Sequence, residues 1–196
     1  MPWDKISKDI FWARIIREIG EYGVVALDIE VSPPIGDGIF TPEHKIKAIG
    51  LYILERDEPI IWISDNEAEL LYYLNRFFYD YEPSMIIGYG IYYLDIPFIL
   101  YKVRQYRRKW YYILEVLERT PILELLHPTK MYLYKKTGEF KYWKLREVAE
   151  ILGLPKEEYE PEKIDNPKEL KKYLENDLKS IVQLYRILVK DYYQKL

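Results

Sequence analysis

The chain has 196 residues, of which 49% are hydrophobic and 31% are charged, values that fit one folded domain and exclude wholesale disorder. The absence of cysteine excludes disulfides, thiolate catalysis and cysteine-ligated metal centres. A net charge of −3 differs from the basic charge of a general nucleic-acid coat, and no apolar run reaches the roughly 18 residues that a membrane helix needs.

Apolar periodicity predicts three initial strands and then an alternation of helices and strands. In chain order, the predicted elements are a helix over 3–19, strands over 22–31, 45–54 and 59–64, a helix capped by Asp65 that ends near 81, a strand over 85–89, helices over 96–108 and 110–119, a strand over 121–126, and helices over 143–152 and 166–192. This order predicts an α/β, ribonuclease H-like fold with a mixed five-stranded sheet and helices on both faces.

We expect one domain over residues 1–196, with a helical extension at 1–20 and a core at 21–192. The N-terminal residues lack the continuous apolar segment of a signal peptide. A cytoplasmic location with no membrane contact is therefore expected.

Two acidic residues, Asp28 and Glu30, lie at the end of the apolar run over 22–31. Side chains alternate along a strand, so both carboxylates emerge from the same face. Clustered carboxylates repel each other and are costly to desolvate, and a hard divalent cation such as Mg²⁺ or Mn²⁺ removes that cost. Solvation at the sheet edge or a salt bridge would explain the pair without a metal.

Two later segments carry further acids. Asp95 lies between a glycine-containing turn and a predicted helix, a position that also suits a helix N-cap. Tyr173 and Asp177 are four residues apart on a predicted helix, so they share one face. A hydrogen-bonded pair on the surface is the alternative interpretation of Tyr173 and Asp177.

The order and context of these segments resemble the three exonuclease motifs of the DEDDy class, and in particular the proofreading exonuclease domain of family B DNA polymerases. The matching segments are 27–30, 88–98 and 173–177, with 45–54 similar to the family's second strand and 142–153 similar to its helix before the third motif. The likeness covers roughly residues 22–187, so we expect an exonuclease module without a polymerase domain. Lys172 stands where the related histidine class would need its histidine.

The resemblance implies that Asp28, Glu30, Asp95 and Asp177 hold two divalent cations, Mg²⁺ or Mn²⁺, and that Tyr173 positions the attacking water. It implies a 3′-to-5′ exonuclease that releases nucleoside 5′-monophosphates from single-stranded 3′ ends. DNA is the expected substrate and RNA stays open, because no motif reads the 2′-hydroxyl. A replication or DNA repair protein is a further expected partner.

Substrate contacts are expected mainly along the second motif. The family has Asn at the position of Gly90 and an aromatic residue at that of Leu94, so the grip on the terminal nucleotides is expected to differ here. The expected substrate-binding residues are Ile29, Tyr89, Gly90, Tyr92, Tyr93 and Leu94. The segments 101–110 and 130–146 mix basic and aromatic residues, a pattern of single-strand binding, with a solvated helix face and a charged hairpin as the respective alternatives.

The departures at Gly90 and Leu94 leave a second function open. It is a catalytically weak ribonuclease H-like module that binds nucleic-acid 3′ ends or a replication or repair protein. A structural subunit of such an assembly and a metal-dependent endonuclease are the remaining alternatives.

Overall fold

The computed structural model describes residues 3–33, 35, 39–106, 110–155 and 166–193. In chain order, the elements of this described part are α1 (Trp3–Ile19), β1 (Val24–Ser32), β2 (Lys45–Ile53), a 3₁₀ turn (Leu54–Arg56), β3 (Glu58–Ile63), α2 (Glu67–Asp80), β4 (Met85–Gly88), α3 (Asp95–Gln105), α4 (Tyr111–Arg119), β5 (Ile122–Glu124), α5 (Leu126–Thr137), α6 (Leu145–Leu152) and α7 (Pro167–Asp191). Among the described residues, no helix combines the length and the apolar character that crossing a membrane requires.

The five strands form one mixed sheet in the order β3-β2-β1-β4-β5. The first three strands pair antiparallel as a meander, whereas β4 and β5 run parallel to β1. Parallel neighbours require crossover connections, and α2 as well as the pair α3 and α4 provide them. The predicted α/β fold class and mixed five-stranded sheet are confirmed, and the topology is compatible with a ribonuclease H-like fold.

The central strand β1 is buried on both faces of the sheet. Val24 and Ala26 pack in a cluster with residues of α5, α6 and α7, and Val25, Leu27 and Ile29 pack in a second cluster with residues of α2, α3 and α4. This double burial explains the uninterrupted apolar run in the sequence. Helices on both faces, as predicted, are confirmed.

Helix α7 lies close against Gly50 of β2. A Cβ atom on Gly50 would lie 2.8 Å from Leu174 Cγ and 2.8 Å from Leu178 Cδ1, closer than atoms pack. Gly50 is also the direct β2 partner of Asp28. The missing side chain therefore lets α7 lie against the sheet beside that acidic residue.

Several predicted boundaries differ from the structure. The N-cap of α2 is Asn66, which accepts the N–H of Ala68, so the prediction of Asp65 as cap is wrong; Asp65 instead pairs with Lys47. The helix predicted over 143–152 begins at Leu145, and β5 is limited to Ile122–Glu124. The predicted helix over 96–108 ends at Gln105, and residues 107–109 lie outside the described residues.

Helix α5 occupies a segment for which the sequence predicted no element. The charged-hairpin alternative for 130–146 is wrong, because 126–137 are helical and the helix ends at Gly138 with a left-handed φ of 77°. The sequence conceals this helix because the buried positions one turn before Tyr132 and Leu133 are occupied by Pro128 and Thr129 rather than by large apolar residues. By contrast, the start of α7 is as predicted, with Asn166 as N-cap and Pro167 following it.

Candidate functional site

Strand β1 carries Asp28 and Glu30 to the face of the sheet that α7 covers. Ala26, two residues before Asp28, packs on that face, and strand side chains alternate. The pairing of β1 with β4 ends at Ala26, so the acidic half of β1 extends beyond the end of β4. Both carboxylates are half-buried at the point where the strand leaves the core.

Helix α7 brings a third carboxylate, Asp177, to the same place. One oxygen from each of Asp28, Glu30 and Asp177 lies within 4.8 Å of the others. We call these three residues the acidic cluster. Carboxylate oxygens at this spacing can hold a metal ion, and the donor set suits a hard divalent cation rather than a soft one.

Asp95 lies beside the acidic cluster and is 4% exposed. It is the first residue of α3, whose N-cap position is Leu94, so the interpretation of Asp95 as the N-cap is wrong. Its Oδ1 accepts the backbone N–H of Ile29 at 3.0 Å, where β1 has no further pairing with β4. Asp95 thus fixes the acidic end of β1 and places its own charge next to Asp28 and Glu30.

Burial raises the pKa of each of these four carboxyl groups, and the charges of the other members raise it further at Asp28 and Glu30. Burial, followed by the charges of Asp177 and Asp95, raises the pKa of Glu30 to about 8. Burial also raises the pKa of Asp95 to about 7 and that of Asp177 to about 6. The pKa of Asp28 is well above its usual value because of burial and the three neighbouring carboxylates. Ionising all four together is therefore costly without a cation.

A salt bridge to a described residue does not explain the acidic pair. Within the described ranges, no lysine or arginine forms a salt bridge with Asp28, Glu30, Asp95 or Asp177. Solvent reaches Asp28 and Glu30, which are half-buried, so solvation at the sheet edge stays an alternative for this pair, although burial is the largest cause of each raised pKa. The charge that would offset this cluster does not come from the described side chains.

Tyr173 lies one turn before Asp177 on α7, as predicted from the spacing, and its hydroxyl donates a hydrogen bond to the Asp177 carboxylate. Burial and the charges of Asp177, Glu30 and Asp28 raise the pKa of this phenol. The hydroxyl therefore keeps its proton at neutral pH and can hold a bound water but not deprotonate it.

Glu124, at the end of β5, is a contributor that sequence reasoning missed. Its Oε1 accepts the backbone N–H groups of Gly90 at 2.7 Å and Leu126 at 2.9 Å, and its Oε2 accepts that of Tyr92 at 3.2 Å. This nearly buried carboxylate holds the turn that leads into Asp95. The only signal in the sequence is an acid directly after the apolar pair Ile122-Leu123.

Three of the residues predicted to bind substrate have structural roles in this turn region. The side chain of Ile29 is buried in the cluster on the opposite face, so only its backbone faces Asp95. The Tyr89 hydroxyl donates to the backbone carbonyl of Trp143, and its ring packs against the core. Gly90 has a left-handed φ of 75° with open space around it, so backbone conformation and not crowding selects glycine there.

The other three predicted contacts differ in accessibility. Tyr92 and Tyr93 are both exposed, at 51% and 60%, and Leu94 is partly buried. The Tyr92 hydroxyl donates to the Ile122 carbonyl at 3.0 Å, and the Tyr93 hydroxyl lies 3.2 Å from His127 Nε2. Their roles toward a substrate stay predictions.

The two basic and aromatic segments have different environments. In 101–110, Lys102 is buried in an ion pair with Glu67, and Trp110 is buried in the core, so neither forms a solvated helix face. Arg107, Arg108 and Lys109 lie outside the described residues. The segment 130–146 is exposed along most of its length, which leaves it as the stronger of the two for binding.

Among solved structures, this chain is similar to the family B DNA polymerase of the hyperthermophilic archaeon Pyrobaculum calidifontis, with a TM-score of 0.61 and 16% sequence identity. The match covers 87% of this chain and 25% of that chain, so this chain spans about a quarter of the polymerase. At this identity the likeness supports the fold. No protein-family model matches the sequence, and a search of curated proteins gives no match.

Proposed function

We propose that this protein is a metal-dependent 3′-to-5′ exonuclease of the DEDDy class, acting on single-stranded 3′ ends. The observation that carries the proposal is the convergence of Asp28, Glu30 and Asp177 next to the buried Asp95 and the Tyr173 hydroxyl. These are the five positions at which the sequence resembles that class. Their segments are far apart in the chain, so chance similarity of short motifs would not bring them together.

The fold supports the same function. The resemblance of the motifs is to the exonuclease domain of family B DNA polymerases, and one solved structure with a similar fold is a family B DNA polymerase. A fold alone hosts many activities, so its weight here comes from agreement with the residues.

The acidic residues suit two divalent cations, Mg²⁺ or Mn²⁺. Asp28, Glu30 and Asp177 would hold them, with Asp95 completing the set from α3. When bound, such ions supply an activated water and stabilise the leaving 3′ oxygen of a terminal phosphodiester. The products expected from this chemistry are nucleoside 5′-monophosphates.

The chain's own groups orient that reaction. Tyr173 stays protonated, so its hydroxyl can fix the direction of a water by hydrogen bonding while Asp177 fixes the phenol. Asp95 holds the backbone of β1 through Ile29 and thereby keeps Asp28 and Glu30 directed to one point. Preorganised groups of this kind require little rearrangement during reaction.

An end-labelled single strand tests the proposal. With Mn²⁺, the wild-type protein should shorten 5′-labelled DNA stepwise from its 3′ end, and Asp28→Ala should abolish shortening because the cluster loses a ligand. Asp65→Ala is the matched control, because Asp65 belongs to a second Asp-x-Glu sequence but pairs with Lys47 at the surface. Equal activity of Asp28→Ala and the wild type would refute the assignment.

The same assay separates the alternatives. Binding of the strand without shortening would favour the weak 3′-end-binding module that the Gly90 and Leu94 departures suggest. Cleavage of circular single-stranded DNA would indicate an endonuclease. Parallel DNA and RNA strands decide the substrate class, and a cytoplasmic location and a replication or repair partner stay predictions.

A further inference from the structure

An exposed group of aromatic and basic side chains lies where α5 and the segment before α6 meet the turn that precedes Asp95. We call it the α5 surface. Its members are Tyr93, His127, Lys130, Phe140 and Tyr142. The rings of Phe140 and Tyr142 are 56% and 52% exposed, and Tyr93 is still more exposed. A contiguous group of exposed rings is a candidate interaction surface.

Side-chain contacts hold the α5 surface in one arrangement. His127 lies between two tyrosines, with its Nε2 3.2 Å from the Tyr93 hydroxyl and its Nδ1 3.3 Å from the Tyr142 hydroxyl. Lys130 Nζ lies 3.9 Å from the Phe140 ring centroid and 4.0 Å from that of Tyr142. The rings are thus ordered in advance, with a cation held among them.

The charge of this region is opposite to that of the whole protein. Residues 126–146 contain six basic side chains and one acidic side chain, in a chain with net charge −3. Lys141 forms ion pairs with Glu139 and Glu147, but no carboxylate of the described residues pairs with Lys130. A positive charge over exposed rings complements a strand of phosphates and bases, because cations follow the backbone and rings stack on bases.

The turn before Asp95 links the α5 surface to the site of the acidic cluster. Tyr93 lies two residues before Asp95 in the same turn, and His127 lies three residues after Glu124, the residue that holds this turn. α5 packs in the core cluster on the same face of the sheet as α7. A strand whose 3′ end reaches the acidic cluster therefore has a path across the α5 surface.

We propose that the α5 surface binds single-stranded nucleic acid upstream of the 3′ end, by stacking bases on Tyr142, Phe140 and Tyr93 while Lys130 contacts the backbone. The inference rests on the proposed function for its direction toward the acidic cluster, but the binding itself needs no metal. The occupant is a single strand rather than a duplex, because stacking requires base faces that a duplex conceals.

Binding without metal tests the surface directly. Fluorescein-labelled dT12 in EDTA is titrated with wild-type protein, with Lys130→Ala/Tyr142→Ala and with Arg76→Ala/Tyr79→Ala. The last is a matched control, because Arg76 lies 4.9 Å from the exposed Tyr79 ring on α2, which packs on the other face of the sheet. We expect the α5-surface variant to bind about tenfold more weakly or worse, and the control to bind within about twofold of wild type.

Further probes sharpen the result. Tyr142→Phe keeps the ring and should retain most of the affinity, and a dT12·dA12 duplex should bind more weakly than the single strand. Raising the salt from 50 to 200 mM should weaken wild-type binding more than that of the variant that lacks Lys130.

rU12 in place of dT12 shows whether RNA occupies the α5 surface as well as DNA. Equal affinity of the α5-surface variant and the wild type, or no binding of dT12 by any of them, would overturn the proposal.

A second substrate separates this proposal from the enzymatic one. With Mn²⁺, cleavage of dT12 is compared with cleavage of the p-nitrophenyl ester of thymidine 5′-phosphate, which is too short to reach the α5 surface. The α5-surface variant should lose about tenfold more kcat/KM on dT12 than on the ester. If wild type cleaves neither substrate yet the binding result is as expected, the exonuclease proposal fails and the α5 surface stands. If the α5-surface variant loses kcat/KM equally on dT12 and on the ester, the α5 surface is not a strand-binding site.

Discussion

Two regions of this protein bury charge in opposite ways. On one face of the sheet, Lys102 and Glu67 form an ion pair at 3.3 Å with side chains only 2% and 3% exposed. Glu67 also accepts the backbone N–H of Ile46 at 2.7 Å and the Tyr106 hydroxyl at 2.9 Å. Lys102 and Glu67 thus compensate each other's charge, and Glu67 also has two hydrogen-bond donors.

On the other face, the acidic cluster collects like charges. Asp28, Glu30 and Asp177 approach within 4.8 Å with Asp95 beside them, and each pKa is raised. The ion pair of the first region is formed within the chain, whereas no basic side chain among the described residues forms an ion pair with the acidic cluster. This difference is the one expected between a charge-compensated buried pair and a candidate cation site.

The largest expected effect is on stability, at the buried ion pair between Lys102 and Glu67. Lys102→Met leaves the Glu67 carboxylate buried without its cation and should lower the free energy of unfolding by about 3–5 kcal/mol. Urea denaturation measures the loss. The double variant Lys102→Met/Glu67→Gln should recover part of it, and a loss below about 1 kcal/mol in the single variant would show that the two regions do not differ as described.

A second prediction concerns the distance between α7 and β1. Gly50→Ala places a Cβ against Leu174 and Leu178, so it should lower the free energy of unfolding by about 1–3 kcal/mol. The displaced helix should also move Asp177 from Asp28 and reduce cleavage of a labelled strand. Gly153→Ala is a control for a glycine with open surroundings, where strain from its left-handed φ changes stability without touching the cluster.

The acidic cluster itself should respond to pH in the metal-free protein. Glu30 has a folded-state pKa of about 8 against an ordinary 4.5, so it favours folding below about pH 4.5 and loses that contribution as pH rises through 8. Glu30→Gln should therefore match wild type in EDTA at pH 5 and be more stable by about 1–2 kcal/mol at pH 8.5, a value discounted for the solvent that reaches this half-buried group. Urea denaturation at both pH values checks this, and a variant that is less stable at pH 8.5 contradicts it.

The smallest effect is expected at Gly90. Its φ of 75° suits Asn far better than Ala, and no neighbour would meet the added Cβ. Gly90→Ala should cost about 1 kcal/mol and Gly90→Asn less. Because the exonuclease family that the sequence resembles has Asn at this position, Gly90→Asn should also lower the KM for dT12. An unchanged KM would show that an amide at this position does not reach the substrate.

Local patterns in the sequence predicted a large part of the fold. The apolar run of β1, the alternation that directs Asp28 and Glu30 to one face, and the Asn166 cap are short-range features, and each is confirmed. The division into one domain with an N-terminal extension stays a prediction.

Features that depend on contacts between distant parts of the chain could not be predicted from local sequence patterns. Asp95 was interpreted as a possible helix cap because its bond to Ile29 spans 66 residues and depends on β1 extending beyond β4. Glu124 was missed because it accepts hydrogen bonds from the backbone N–H groups of Gly90 and Tyr92, which lie 34 and 32 residues away in the chain. No pattern of side chains in the sequence reveals such contacts. Helix α5 was missed because its amphipathic signal is weak.

Cation binding by the acidic cluster is tested most directly by melting the protein at pH 8 with and without Mn²⁺. The melting temperature of wild type should rise when Mn²⁺ is added. At a Mn²⁺ concentration one hundred times the Kd of the site, the free energy of unfolding should increase by about 2.7 kcal/mol. Asp28→Asn should melt higher than wild type in EDTA and gain little from Mn²⁺. A wild-type melting temperature that neither Mn²⁺ nor Mg²⁺ changes would contradict the account.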